Sequence, residues 1–168
     1  MNQIFRYILA FLVYLVLQVG LFNHMGIFDV AMPFVFLLFL FSLPFDWPVP
    51  LVLVIAFATG FMVDALSTST VSGLHAFAGV FAVGARERVA ALASGSNIRG
   101  VSELNLRDQS AIWFVIYLLT LTFLHNLAYF FLEVLSFQDF FRTLIKIGAS
   151  TLYTFLLCFV LSYIFYKR

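Results

Sequence analysis

Residues 110 to 132 read SAIWFVIYLLTLTFLHNLAYFFL, without a single Asp, Glu, Lys or Arg. A run of that length matches the roughly 17–25 apolar residues with which a helix crosses a hydrocarbon core about 30 Å thick. The closing stretch from Leu144 to Tyr166 is as long and holds one charge, Lys146. Together they decide the fold class, an all-α integral membrane protein. The composition agrees. The 168 residues are 64% hydrophobic and 10% charged with mean hydropathy +1.07, whereas soluble domains hold roughly 45–50% apolar and about 25% charged residues.

Working back along the chain, four further apolar segments are expected. Phe5 to Phe22 follows a short start bearing Arg6 and ends in Asn23, His24, Met25 and Gly26, with no small-x-small cleavage site, so it reads as a retained helix and not a signal peptide. Pro33 suits the first turn of a second helix, Phe34 to Leu43, because its missing N–H has no partner to lose there. Pro44, Pro48 and Pro50, with Asp46 and Trp47, make a stiff turn at the membrane surface. Leu51 to Leu66 and Val71 to Ala85 follow. These middle three are short for a crossing, which implies tilt, a break or local bilayer thinning. The expectation is about six transmembrane helices in a compact bundle, a single domain over 1–168 with one cytoplasmic linker at about 86–109. Ser94, Gly95, Ser96, Asn97 and Gly100 form its flexible middle.

Six crossings place both termini on one side, and the basic residues choose which. Arg6, Arg86, Arg88, Arg99, Arg107, Lys167 and Arg168 fall on the side of the termini, against Arg142 and Lys146 opposite. Both termini are therefore expected in the cytoplasm. A net charge of +1 gives little field to attract nucleic acid, so no nucleic-acid partner is expected. The single cysteine, Cys158, excludes an internal disulfide and a multi-cysteine metal site. His24, His75 and His125 lie on different segments, without metal-ligand spacing. No P-loop, H-E-x-x-H or glycine-rich dinucleotide turn occurs, and no catalytic residue, cofactor or metal is expected.

The most specific local pattern is Gly60, Phe61, Met62, Val63, Asp64, then Ser67 to Thr70, then Gly73. Ala56, Gly60 and Asp64 share one helix face, a small-residue stripe that permits close helix contact in a membrane. Two readings of Asp64 stand side by side. It accepts hydrogen bonds from the backbone of Ser67 to Thr70 and fixes the turn, or it touches a partner or ligand. His75, and His125 with Asn126 deep in the fifth segment, should face the bundle, either as interhelical hydrogen bonds or as the lining of a pocket. Arg86 and Arg88 read as a positive-inside anchor, or as a contact for a cytoplasmic partner.

With G-x-x-x-D closing the third helix, a Ser/Thr-rich turn and a glycine opening the fourth (Gly60, Asp64, Ser67, Gly73), the chain resembles the rod shape-determining protein MreD family. The sharp part of the resemblance spans about Gly60 to Gly84, while length and helix layout extend it over nearly the whole chain. It implies a non-enzymatic component of the bacterial inner membrane that supports cell-wall elongation. The implied partners are a bitopic MreC-like protein, the actin-like MreB, and the synthase pair of RodA and a penicillin-binding transpeptidase, with membrane lipid around them. The family's fold is similar to the S components of energy-coupling-factor vitamin transporters, which supply the rival function. Such proteins often carry A-x-x-x-A on the first helix, and Ile8 to Tyr14 lack it. The outward loops are also short and poor in hydrogen-bonding groups, whereas a small-molecule site needs several convergent polar contacts. On the scaffold reading, Asp64→Ala is expected to weaken partner retention with little loss of fold.

Overall fold

A computed structural model describes residues 3–67, 72–95, 109–134 and 140–166. Its regular elements are helices: α1 (Gln3–Gly20), α2 (Phe36–Phe41), α3 (Val49–Leu66), α4 (Leu74–Gly84), α5 (Arg86–Ser94), α6 (Ala111–Val134) and α7 (Phe140–Tyr166), with one 3-10 turn at Phe22–His24. Four of them, Gln3–His24, Val49–Leu66, Ala111–Val134 and Phe140–Ile164, are long and apolar enough to cross a membrane. This is an all-α membrane protein.

The second and fourth segments are shorter than the sequence implies. α2 has 6 residues, all buried, and lies among α1, α3, α4 and α6. A helix apolar all round belongs inside a bundle and not against lipid. It starts after Pro33 because the preceding backbone is held by side chains of other helices. Gln18 Nε2 donates to the Pro33 carbonyl at 2.9 Å and Gln18 Oε1 accepts from the Phe36 N–H at 3.2 Å, while Thr154 Oγ1 accepts from the Phe34 N–H at 3.1 Å. These bonds satisfy, at a buried site, backbone groups that an irregular segment would otherwise leave unpaired. α4 has 11 residues, and the first part of the expected linker is itself the helix α5, closed by Gly95 at φ 62. Alanine, leucine and arginine there are good helix formers. Ser96 to Asp108, with Arg99 and Arg107, fall outside the described residues, as do Thr68 to Val71 and the terminal Lys167 and Arg168.

The helices share two ends. Arg86 reaches the carbonyls of Leu43 and Pro44, Tyr117 O–H donates to the Phe41 carbonyl, and Tyr7 packs on Trp47, so the beginnings of α1, α3 and α6 gather at one end, here the near end. At the far end Asn23 Nδ2 donates to Ser67 Oγ at 2.7 Å, tying the exit of α1 to that of α3. Between α1 and α2 the chain makes a tight turn in which Phe28 and Asp29 have φ 51 and 56, with the Ile27 N–H on the Ala31 carbonyl at 2.9 Å. Left-handed backbone costs a residue with a Cβ about 1–2 kcal/mol, and Phe28 recovers little through packing because it is 93% exposed. Replacing Phe28 with Asn, which visits this region readily, is expected to stabilise the protein by about 1 kcal/mol. The check is the thermal midpoint in detergent, which should rise by roughly 2–4 °C; an unchanged or lower midpoint would show that the strain is relieved elsewhere.

Candidate functional site

The residues that carry the sequence motif meet at the junction of α3 and α4. Gly73, at φ 95, sits at the N-cap position of α4 and makes no capping bond of its own. An N-cap side chain normally accepts from the second and third N–H groups of its helix, and here Asp64 of α3 takes that part from outside. Its Oδ1 accepts from the His75 N–H at 3.2 Å and its Oδ2 from the Ala76 N–H at 3.1 Å. Oδ1 also lies 2.7 Å from His75 Nδ1. A carboxylate only accepts, so Nδ1 carries the hydrogen and the tautomer is set by the pair. The positive end of the α4 dipole favours the same charge.

Close approach makes these distances possible. A Cβ built on Gly60 would stand 2.5 Å from Ala76 Cα and 2.6 Å from both Ala76 N and the His75 carbonyl carbon. One turn earlier, Ala56 is fully buried and its carbonyl oxygen faces Gly79. The stripe Ala56, Gly60, Asp64 is therefore consumed inside the molecule, against His75, Ala76 and Gly79 of α4. Asp64 is 3% exposed. The turn-ordering role anticipated for it is exercised on the first turn of α4, with His75 as its side-chain partner, and not on the Ser67 N–H, which donates to the Val63 carbonyl at 2.9 Å; the Thr68 to Thr70 backbone, also expected to donate to it, lies outside the described residues. The expectation that Asp64→Ala leaves the fold intact is corrected accordingly, because the carboxylate holds three buried hydrogen atoms.

Beneath this junction lies a ring cluster. Phe34 and Phe36 both pack on His75 and on His125, with centroids 5.1 to 5.8 Å apart, and Tyr129 stands 4.7 Å from His75. His125 and Asn126 are fully buried. Asn126 Nδ2 donates to Thr151 Oγ1 at 3.0 Å, an interhelical bond from α6 to α7. Among the described residues neither ring nitrogen of His125 has a hydrogen-bond partner. His75, His125 and Asn126 thus belong to one polar interior; the described residues hold no group of three or more metal-ligating side chains.

At the near end the two arginines part. Arg86 is 2% exposed, its Nη1 donating to the Leu43 carbonyl at 3.0 Å and its Nη2 to the Pro44 carbonyl at 2.8 Å, with the guanidinium 4.9 Å from the Phe45 ring centre. Burial lowers its pKa from the ordinary arginine value, opposed by Tyr117, Glu87 and Asp46. It ties down the turn that follows α2, pairing the Leu43 and Pro44 carbonyls that no helical N–H follows to meet, and is not available to a cytoplasmic partner. Arg88 is exposed. Arg86→Gln is expected to cost about 1.5–3 kcal/mol, the range for hydrogen bonds to a charged group, and Arg88→Gln less than about 0.5 kcal/mol. Paired melting curves would show it, and equal shifts would refute the distinction.

Sequence reading missed Gln18, Ser150 and Thr154, which pin the Met32 to Phe36 backbone to α1 and α7. The available signal was that each is a polar residue in an otherwise apolar run, where an unpaired hydrogen-bonding group is costly. No family model matches the chain, and no curated protein or solved structure matches it.

Proposed function

We propose that the protein is a non-enzymatic scaffold of the bacterial cell-wall elongation machinery. On this reading it is a bundle of six membrane helices, similar to the S-component fold, in the cytoplasmic membrane with both termini in the cytoplasm. It supports rod shape and peptidoglycan synthesis by holding an MreC-like bitopic protein beside RodA and a penicillin-binding transpeptidase, with MreB on the cytoplasmic face. One observation carries the reading. Of Gly60, Asp64, Ser67 and Gly73, the residues on which the resemblance to the MreD family rests, Gly60 and Asp64 meet the first turn of α4 at a buried junction with His75, Gly73 stands at the N-cap of that helix, and Ser67 turns to Asn23, so the core of the motif has a physical reason to exist in this chain. A junction capped this way makes a stiff platform, since α3 and α4 cannot slide without unpairing buried groups. Under this reading the far end faces outward.

The rival reading, a vitamin-binding S component, draws on the ring nitrogens of His125, buried polar atoms without a hydrogen-bond partner among the described residues. Affinity purification from mild detergent, with mass spectrometry of proteins and small molecules, separates the two. Recovery of an MreC-like protein or a cell-wall synthase supports the scaffold. A coupling protein with paired ATPases, or a bound vitamin, overturns it.

A further inference from the structure

Hydroxyls on the other helices find partners close by. Thr59 Oγ1 donates to the Ile55 carbonyl at 2.7 Å and Ser94 Oγ to the Ala90 carbonyl at 2.8 Å, each one turn back. The middle of α6 breaks this pattern. Thr122 Oγ1, both ring nitrogens of His125 and Asn126 Oδ1 are buried and have no hydrogen-bond partner among the described residues. All three side chains are fully buried, and their spacings of three and four residues put them on one face of the helix. Buried polar groups are nearly always paired, because an unpaired one forfeits the bonds it made with water in the unfolded chain. A cluster of orphaned atoms within about one turn is a concentrated departure from that rule, in a span whose surroundings offer no other water.

The unmet hydrogen-bonding capacity says what fits. A neutral imidazole donates through one nitrogen and accepts through the other, a threonine hydroxyl does both, and the Asn126 oxygen only accepts, while its Nδ2 is engaged by Thr151. The occupant must therefore both donate and accept. A cation would want a carboxylate, and the one in this interior, Asp64, is already held by His75 and the α4 backbone. An anion would find in the cluster only a hydroxyl and one N–H. Size narrows the class further. Phe34, Phe36 and Tyr129 close round His125 with ring centres at 5.1, 5.7 and 6.2 Å. An organic ligand would have to unpack all three, whereas a water molecule needs a single ring to turn aside, at less cost than leaving the polar atoms dry. We propose that this stretch of α6 is an internal hydration site in which water bridges Thr122, His125 and Asn126. A buried water makes about three hydrogen bonds, so roughly one or two molecules satisfy the cluster. The bundle is then joined in two ways. α3 and α4 meet through direct bonds at Asp64, and α6 meets the rings and hydroxyls around it through water, whose bridging bonds are nearly as good as direct ones. The site goes beyond the scaffold reading and does not depend on it.

The test uses the full chain in nanodiscs, labelled with 13C and 15N, and follows magnetisation passed from water to assigned side chains by solid-state NMR. The expected result is transfer to the His125 ring at least about threefold faster than to the methyl groups of Leu40, which is equally buried. Thr122→Val keeps the side-chain shape and removes one partner of the water, so it should slow transfer to His125 at least about twofold while helicity and monodispersity stay unchanged. A map at about 2 Å should show density within about 2.6–3.2 Å of Asn126 Oδ1 and of a His125 nitrogen. Transfer to His125 no faster than to Leu40, or a Thr122→Val protein with the wild-type rate, overturns the proposal and leaves the scaffold reading untouched. Density too large for water, matched by a small molecule in the mass spectrum of the purified protein, overturns it in favour of the S-component reading.

Discussion

Gly60→Ala is expected to abolish the folded bundle or leave it barely stable. The added Cβ would meet backbone atoms of α4 at 2.5 and 2.6 Å, and backbone, unlike the tip of a side chain, cannot swing aside. α3 and α4 would have to separate, and the Asp64 bonds to His75 and Ala76 at 3.1 and 3.2 Å would lengthen past useful geometry, because hydrogen bonds weaken steeply with distance and angle. Overpacking costs about 1–3 kcal/mol and the strained cap adds to it, so the total is on the order of 3 kcal/mol or more. Gly148→Ala is the control: it sits in α7 with open space around it, and alanine gains roughly 0.8–1 kcal/mol of helix propensity over glycine. Monodispersity on size exclusion and the thermal midpoint in detergent measure both. Gly60→Ala with a wild-type midpoint would mean that α3 and α4 are not in contact.

How far sequence leads is visible in this pair of glycines. The four-residue spacing of Gly60 and Asp64 places them on one helix face by periodicity alone, and the long spans at α1, α3, α6 and α7 follow from apolar run length. The identity of the surface they meet does not follow. A small-residue stripe serves a partner chain or a neighbouring helix equally well, and the choice depends on the path of the chain from Ser67 to Gly73. Pro33 misleads for a related reason. As an isolated signal it opens a helix, but the helix opens at Phe36 because Gln18 and Thr154, 15 and 120 residues away from their acceptors and donors, supply the hydrogen bonds that a helical turn would otherwise make. Arg86 shows the same limit with a charge. Next to Glu87 and Arg88 it reads as an exposed run, and only the unpaired carbonyls of Leu43 and Pro44, created by a proline turn 42 residues earlier, draw it inside.

Asp64→Ala should then be a fold mutation first. It leaves the His75 and Ala76 N–H groups and the His75 ring nitrogen without their acceptor in a buried place, and each orphaned donor costs about 1–3 kcal/mol; removing one partner of a buried pair costs about 3–5 kcal/mol in all. Asp64→Asn should cost less, since its amide oxygen still accepts, though its NH₂ would face a second donor. The discriminating measurement is a double-mutant cycle of Asp64→Ala with His75→Ala, followed by thermal midpoint. The double variant no longer contains the orphaned imidazole, so its loss should fall short of the sum of the single losses by about 0.5–3 kcal/mol, the range for residues in direct contact. Additive losses would mean that Asp64 acts on the α4 backbone alone and that His75 is a bystander. A stable Asp64→Ala protein that nonetheless loses its partners would place the carboxylate at an interface, against its burial and its three short contacts.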